Sequence, residues 1–159
     1  FLVEIEKIRA EEKHELSVVD FGCGLGRNGP LLKELFSSVY GVDLPEMIDK
    51  MKEPNGGNPE PSYDEVFTDL EKCLKKKKPN IIYDSVVLQH IIDEKFNDSL
   101  FEMVTKAKSV TCLISVSKGV AERILPGRLI ENGWTVVLQE SDTTSLEGSL
   151  HTTRIIKRG

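Results

Sequence analysis

Val18-Val19-Asp20-Phe21-Gly22-Cys23-Gly24-Leu25-Gly26 is the stretch on which the fold turns. An apolar run reaches a carboxylate and then breaks into alternating glycines. Ser17 to Phe21 is short, apolar and β-rich, the pattern of a buried strand. Glycine has no Cβ, so the chain after Phe21 can turn sharply and come close to a ligand. Open parallel sheets bind ligands beyond the carboxyl ends of their strands, where such a loop lies. A dinucleotide fingerprint needs the spacing G-x-G-x-x-G. Here the third glycine arrives one residue early, and Arg27 stands in the dinucleotide position. Taken alone, GxGxG also fits a purely structural strand-to-helix turn.

Outward from this loop, short β-rich runs alternate with longer amphipathic ones. Leu2 to Glu12 reads as a helix, with Leu2, Ile5 and Ile8 on one face. Pro30 to Phe36 is the helix after the glycines, with Pro30 suited to a first turn. Ser38 to Val42 is a second strand and Pro45 to Met51 a second amphipathic turn of helix. Residues 53–62 hold three Pro, two Gly and two Asn and read as a loop. A weaker strand over Glu65 to Thr68 precedes a helix over Asp69 to Lys77. Ile81 to Ser85 is the fourth strand, Lys95 to Ala107 a helix, and Val110 to Val116 the fifth strand. A helix over Val120 to Glu131 leads to two final strands, Trp134 to Gln139 and Thr152 to Ile156, with no helix between them. Strands alternating with helices imply a parallel sheet covered on both faces. The last two strands lack a crossover helix and are expected to be antiparallel neighbours. The run Lys75 to Lys78 at a helix end fits a solvated terminus that complements the helix dipole, or a basic docking site.

The chain has 159 residues, the length of one domain spanning 1–159, in which residues 1–14 form an N-terminal helical segment. With 39% apolar and 30% charged residues, it is an ordinary globular composition, neither disordered nor collagen-like. A formal net charge of -5 does not suit a surface that coats a phosphate backbone. No apolar run approaches the roughly 20 residues of a membrane helix. The first fifteen residues carry eight charges of both signs and no signal-peptide core. Cys23, Cys73 and Cys112 form no CxxC pair and read as reduced thiols. These features lead to the expectation of a cytoplasmic protein. The chain starts at Phe1 rather than Met, which reads as a trimmed end.

Val39-Tyr40-Gly41-Val42-Asp43 ends the second strand in a carboxylate, where nucleotide-binding sheets hold ribose hydroxyls. Asp43 also fits as a cap for the helix that follows. With VVDFGCGLGRN followed by VYGVDLPEMI, the sequence resembles the class I S-adenosylmethionine-dependent methyltransferases. The resemblance implies an α/β, Rossmann-like, doubly wound and mostly parallel seven-stranded sheet with an antiparallel terminal strand. It implies S-adenosyl-L-methionine as cofactor. Gly22, Gly24 and Gly26 would line its methionine part, with Asp20 near the amino group. Asp43 would hold the ribose and Leu44 would pack on the adenine. Phe67-Thr68-Asp69-Leu70 is similar to the segment that meets the adenine, which places Asp69 and Leu70 in the cofactor site. Asp69 fits a helix cap as well. Ser85, at the end of the fourth strand, joins the implied cofactor set.

Val87-Leu88-Gln89-His90-Ile91 looks like the family's V-L-x-H-I segment. Aligning on it puts Asn80 where the family usually opens the fourth strand with Asp, and Asp84 at that strand's carboxyl end. The reaction implied is in-line displacement at a sulfonium methyl, in which the protein orients the nucleophile and sometimes removes a proton. Asp84 and His90 are the two groups expected to do so. Asp84 fits equally as a partner for loop amides or for the cofactor, and His90 as a packed or capping histidine. No Asn/Asp-Pro-Pro-Tyr segment and no cysteine follow the fourth strand, so the chain does not resemble adenine-amino or cytosine-5 enzymes. His14, His90 and His151 are scattered, and no metal site is expected. A ribose-2′-O enzyme would use Asp84, Lys118 and Glu147, but its first lysine has no match. The leading expectation is methyl transfer to an unidentified small-molecule acceptor, with nucleic acid disfavoured. An inactive cofactor-binding scaffold is the alternative, which Asn80 and the lack of a long, lid-forming insertion after the fifth strand favour. An NAD(P)-dependent oxidoreductase is a third reading, which the glycine spacing disfavours.

Overall fold

The computed structural model describes residues 2–12, 15–53, 63–91, 93–118, 124–142 and 151–159. Residues 54–62 of the expected 53–62 loop, the start of the helix at 120–123, and His14 and Glu147 lie outside the described residues.

Among the described residues the order is α1 (Leu2–Glu11), β1 (Ser17–Phe21), α2 (Gly29–Leu35), β2 (Ser38–Val42), α3 (Pro45–Lys52), β3 (Glu65–Phe67), α4 (Leu70–Lys77), β4 (Ile81–Ser85), a 3₁₀ turn (Leu88–His90), α5 (Glu94–Lys106), β5 (Cys112–Lys118), α6 (Ile124–Glu131), β6 (Trp134–Asp142) and β7 (His151–Arg158). The strands form one sheet in the order β3-β2-β1-β4-β5-β7-β6. The first five pair in parallel, and β7 runs antiparallel to both β5 and β6. This is the Rossmann-like, doubly wound architecture implied above. The α6 crossover carries β6 one place past β5, and β7 turns back to fill the gap.

Side chains alternate between two packed layers, as strand geometry requires. Val18, Val39, Ile81 and Ile114 pack with Ile5 and Ile8 of α1 and with Leu32 of α2. Val19, Ile82, Leu113 and Ile156 face the other way, onto Leu74 of α4, Leu100 and Val104 of α5, and Leu129 of α6.

Several boundaries differ from the sequence expectation for identifiable reasons. The β5 ladder starts at Cys112, because the N–H groups of Thr111 and Cys112 both donate to the Asn80 carbonyl. β6 and β7 run longer than expected because they pair with each other through polar Gln139, Glu140, Thr152 and Thr153. A bulge between Val136 and Leu138 turns Val137 outward. In the Lys75–Lys78 run, Lys75 pairs with Glu71, and Lys76 and Lys77 pair with Glu65. Lys78 ends α4 in the left-handed region.

Asn80 sits at the opening end of β4, where its side-chain oxygen accepts from the N–H and hydroxyl of Ser17, each at 3.1 Å. It ties β4 to β1 at the ends of these strands opposite the glycine loop. No helix among the described residues is long and apolar enough to cross a membrane.

Candidate functional site

The carboxyl ends of β1, β2 and β3 are cross-tied by their loops. The N–H groups of Gly22 and Cys23 donate to the Val42 carbonyl at 2.8 and 3.1 Å, and the Asp43 N–H donates to the Phe67 carbonyl at 3.2 Å. Beyond these ends lies a cavity of about 560 Å³. Phe21, Gly22, Val42, Asp43 and Leu44 form its strand side, and Thr68, Asp69 and Leu70 continue it. Val87, Ile91 and α5, through Phe96, Ser99, Leu100 and Met103, close the other side.

Gly22, Gly24 and Gly26 all have positive φ, at 74°, 54° and 85°. At Gly22 a Cβ would lie 2.2 Å from the Val87 side chain, so glycine is required there by both backbone and packing. A Cβ at Gly24 would meet nothing within 4 Å. Its N–H donates to Asp43 Oδ2 at 2.6 Å, and the Leu44 N–H donates to Asp43 Oδ1 at 2.7 Å. The α3 cap position falls to Leu44 and receives no side-chain bond. Asp43 therefore clasps the glycine loop, and the capping alternative does not describe it. Each of its oxygens keeps a second lone pair for an outside donor. Asp69 caps α4, accepting from the Lys72 N–H at 3.0 Å, and also lines the cavity. Leu70 is buried beneath it, while Leu44 is 60% exposed at the rim.

Asp20 has no exposed surface. Tyr63 donates its phenolic hydrogen to Asp20 Oδ2 at 2.6 Å. Asp20 Oδ1 is buried with no hydrogen-bond partner among the described residues. Burial raises the Asp20 carboxyl to about 6, against the Tyr63 hydrogen bond and the neighbouring Asn28 amide, which hold it down.

Asp84 shares a sheet face with Phe21, Val42, Phe67 and Ser115, which lie in one register row. It is 1% exposed. Its Oδ1 accepts the N–H groups of Val87 and Leu88, both at 3.0 Å, and its Oδ2 accepts the Ser115 hydroxyl at 2.8 Å. Burial raises this carboxyl too. That geometry weighs against the expected proton acceptor and for the alternative, a carboxylate that holds loop amides. His90 is exposed at the end of the 3₁₀ turn, and its N–H donates to the Val87 carbonyl at 2.9 Å. Ser85 points to the opposite face, hydrogen-bonded to Tyr83, and does not line the cavity.

The sequence reading missed Tyr63 and the α5 wall. Tyr63 stands in no motif. The α5 wall follows the amphipathic spacing of Phe96, Leu100 and Met103, which marks an inward face without distinguishing core from cavity.

The family model described as Methyltransferase domain matches residues 19–121, and the chain belongs to that family. Its fold is similar to that of solved methyltransferases. Magnesium protoporphyrin IX methyltransferase from Synechocystis, solved with bound SAM, is 19% identical with a TM-score of 0.66, over 99% of this chain and 79% of that one. An S-adenosylmethionine-dependent methyltransferase from Mesorhizobium loti is 18% identical with a TM-score of 0.65, over 96% of each chain. The N-methyltransferase NodS from Bradyrhizobium japonicum is 14% identical with a TM-score of 0.64, over 99% of this chain and 94% of that one. No curated protein matches the sequence. The chain is thus an enzyme of the S-adenosylmethionine-dependent methyltransferase kind.

Proposed function

We propose that the chain transfers the methyl group of S-adenosylmethionine to a small acceptor bound beside the 3₁₀ turn. The observation that carries this reading is the cavity at the strand ends, bounded by Gly22 and by two carboxylates, Asp43 and Asp69. The donor set suits the cofactor. Asp43 has lone pairs left for ribose hydroxyls, and Asp69 has one for an exocyclic amine. The unpartnered Oδ1 of buried Asp20 is an acceptor suited to an ammonium group. Leu44, Leu70 and Val87 offer apolar surface for a base.

Bound S-adenosylmethionine supplies an electrophilic methyl on a sulfonium. The chain's own work is to hold the two reactants in line and keep water out. Asp84 fixes the turn whose Val87 closes the cavity against Gly22. His90, exposed at the end of that turn and outside the cavity lining, is the group we assign to accept the acceptor's proton. The chain's net charge of -5 favours a small acceptor over nucleic acid. Of the two features that favour a scaffold, Asn80 and the lack of a long insertion after the fifth strand, Asn80 bonds to Ser17 at the far ends of the strands, away from the cavity.

Titration calorimetry with S-adenosylmethionine, S-adenosylhomocysteine and NAD tests the reading. Binding of both adenosyl ligands and none of NAD is expected. Binding of NAD alone would end the proposal.

A further inference from the structure

We propose that Tyr63 is a positioning residue for Asp20, reaching it across Gly41 and leaving the second carboxylate oxygen for the cationic amino-acid end of the cofactor. The inference rests on the S-adenosylmethionine reading. Its geometry is set by the sheet. Tyr63 precedes β3, and Asp20 lies in β1 with β2 between them. A side chain on the middle strand would ordinarily block the way. The β2 residue in register with Asp20 is Gly41. A Cβ there would lie 3.3 Å from the Tyr63 ring, 3.2 Å from Val66 and 3.0 Å from the Cys23 sulfur. Glycine therefore keeps open the path that the ring takes.

The base of this arm is clamped. The Asp64 N–H donates to the Val39 carbonyl at 2.8 Å, and the Val39 N–H donates to Asp64 Oδ2 at 2.8 Å. Lys33 donates to Asp64 Oδ1 at 2.5 Å. The ring is half-buried against the Cys23, Ile48 and Met51 cluster. Its hydroxyl thus arrives at a fixed point and occupies Oδ2, which leaves Oδ1, buried just outside the cavity lining, as the oxygen without a partner among the described residues.

A carboxylate must be ionised to hold an ammonium. Around Asp20 stand Asp43 after β2, Asp84 and Tyr83 on β4, Cys23 in the glycine loop, the hydrogen-bonding Tyr63, and the Asn28 amide nearby. The two carboxylates and burial favour the protonated form, while Tyr63 and Asn28 favour the ionised one. Loss of the Tyr63 hydroxyl should raise the pH above which the site can hold a cation.

The test compares wild type with Tyr63→Phe, which keeps the ring and its packing; circular dichroism checks that it is folded. Two probes are titrated between about pH 5 and pH 9, spanning the carboxyl that burial has raised. S-adenosylhomocysteine carries the amino-acid end, and methylthioadenosine lacks it. Tyr63→Phe should weaken S-adenosylhomocysteine about five- to tenfold near pH 7, leave methylthioadenosine within about twofold, and move the acid limb of binding to higher pH. Gly41→Ala, whose new methyl would press on the Cys23 sulfur, Val66 and the Tyr63 ring, should show the same selectivity to a smaller degree. Equal weakening of both probes, or an unmoved acid limb, would overturn the inference while leaving the cofactor reading intact. Failure of the wild type to bind S-adenosylhomocysteine at any pH would overturn both.

Discussion

Asp20 has no exposed surface, and burial raises its carboxyl from 3.8 to about 6. A carboxyl whose folded-state value lies above its unfolded one holds its proton better when folded. Ionising it as pH climbs from about 4 through 6 therefore removes stability, on the order of 3 kcal/mol for a shift of roughly two units. Asp20→Asn should make the ligand-free chain more stable above pH 7 by about 3 kcal/mol, with the difference from wild type vanishing near pH 4. The same substitution should weaken S-adenosylhomocysteine binding at least tenfold, by about 1.4 kcal/mol or more. Urea denaturation across pH, paired with calorimetry, checks both signs. Asp84 separates two roles in the same way. Asn can still accept the Val87 and Leu88 N–H groups, so Asp84→Asn should keep turnover within about threefold, below 1 kcal/mol. Asp84→Ala leaves those amides unpaired and should cost about 1–3 kcal/mol of stability. A fall in turnover by roughly 10²–10⁴ in a folded Asp84→Asn would instead make Asp84 the base.

At the scale of elements, the turn between β4 and α5 is held in a conformation that its residues do not favour. Val86 has φ 68°, in the left-handed region, and it is β-branched. Its N–H donates to the Val116 carbonyl at 2.7 Å, Asp84 grips the next two amides, and Val87 seats against Gly22. These ties over-determine the turn, and strain of about 1–3 kcal/mol is expected at such a residue. Val86→Gly should relieve it at the cost of a more flexible unfolded chain, for a net gain of about 0.5–1 kcal/mol. A drop in the denaturation midpoint would show that Val86 is not strained. Gly22→Ala is expected to fail in the opposite sense, since its new methyl would overlap Val87.

For the whole molecule, a ligand that binds only the folded state must stabilise it. Saturating S-adenosylhomocysteine at about 100 times its dissociation constant should add about 2.7 kcal/mol, read as a raised melting temperature, with no response to NAD. That coupling depends on four strands and their loops meeting at the carboxyl ends of the sheet, and the sequence shows how much of this is local. Alternation of short apolar runs with amphipathic ones determined the strand and helix succession and the parallel sheet, because period and turn residues are properties of neighbours in the chain. The glycine spacing and Asp43 determined the cofactor edge for the same reason. Other features came only from side chains meeting across the sheet. Asn80 looked like a departure at a functional position, yet it bonds to Ser17 at the opposite end of the strands. Asp84 read equally as a base or as a holder of loop amides, and its partners from the following turn and from β5 favour the second. Tyr63 carries no motif and matters because register sets Gly41 beside Asp20. Partners two strands apart are fixed by pairing and packing, which no local pattern encodes.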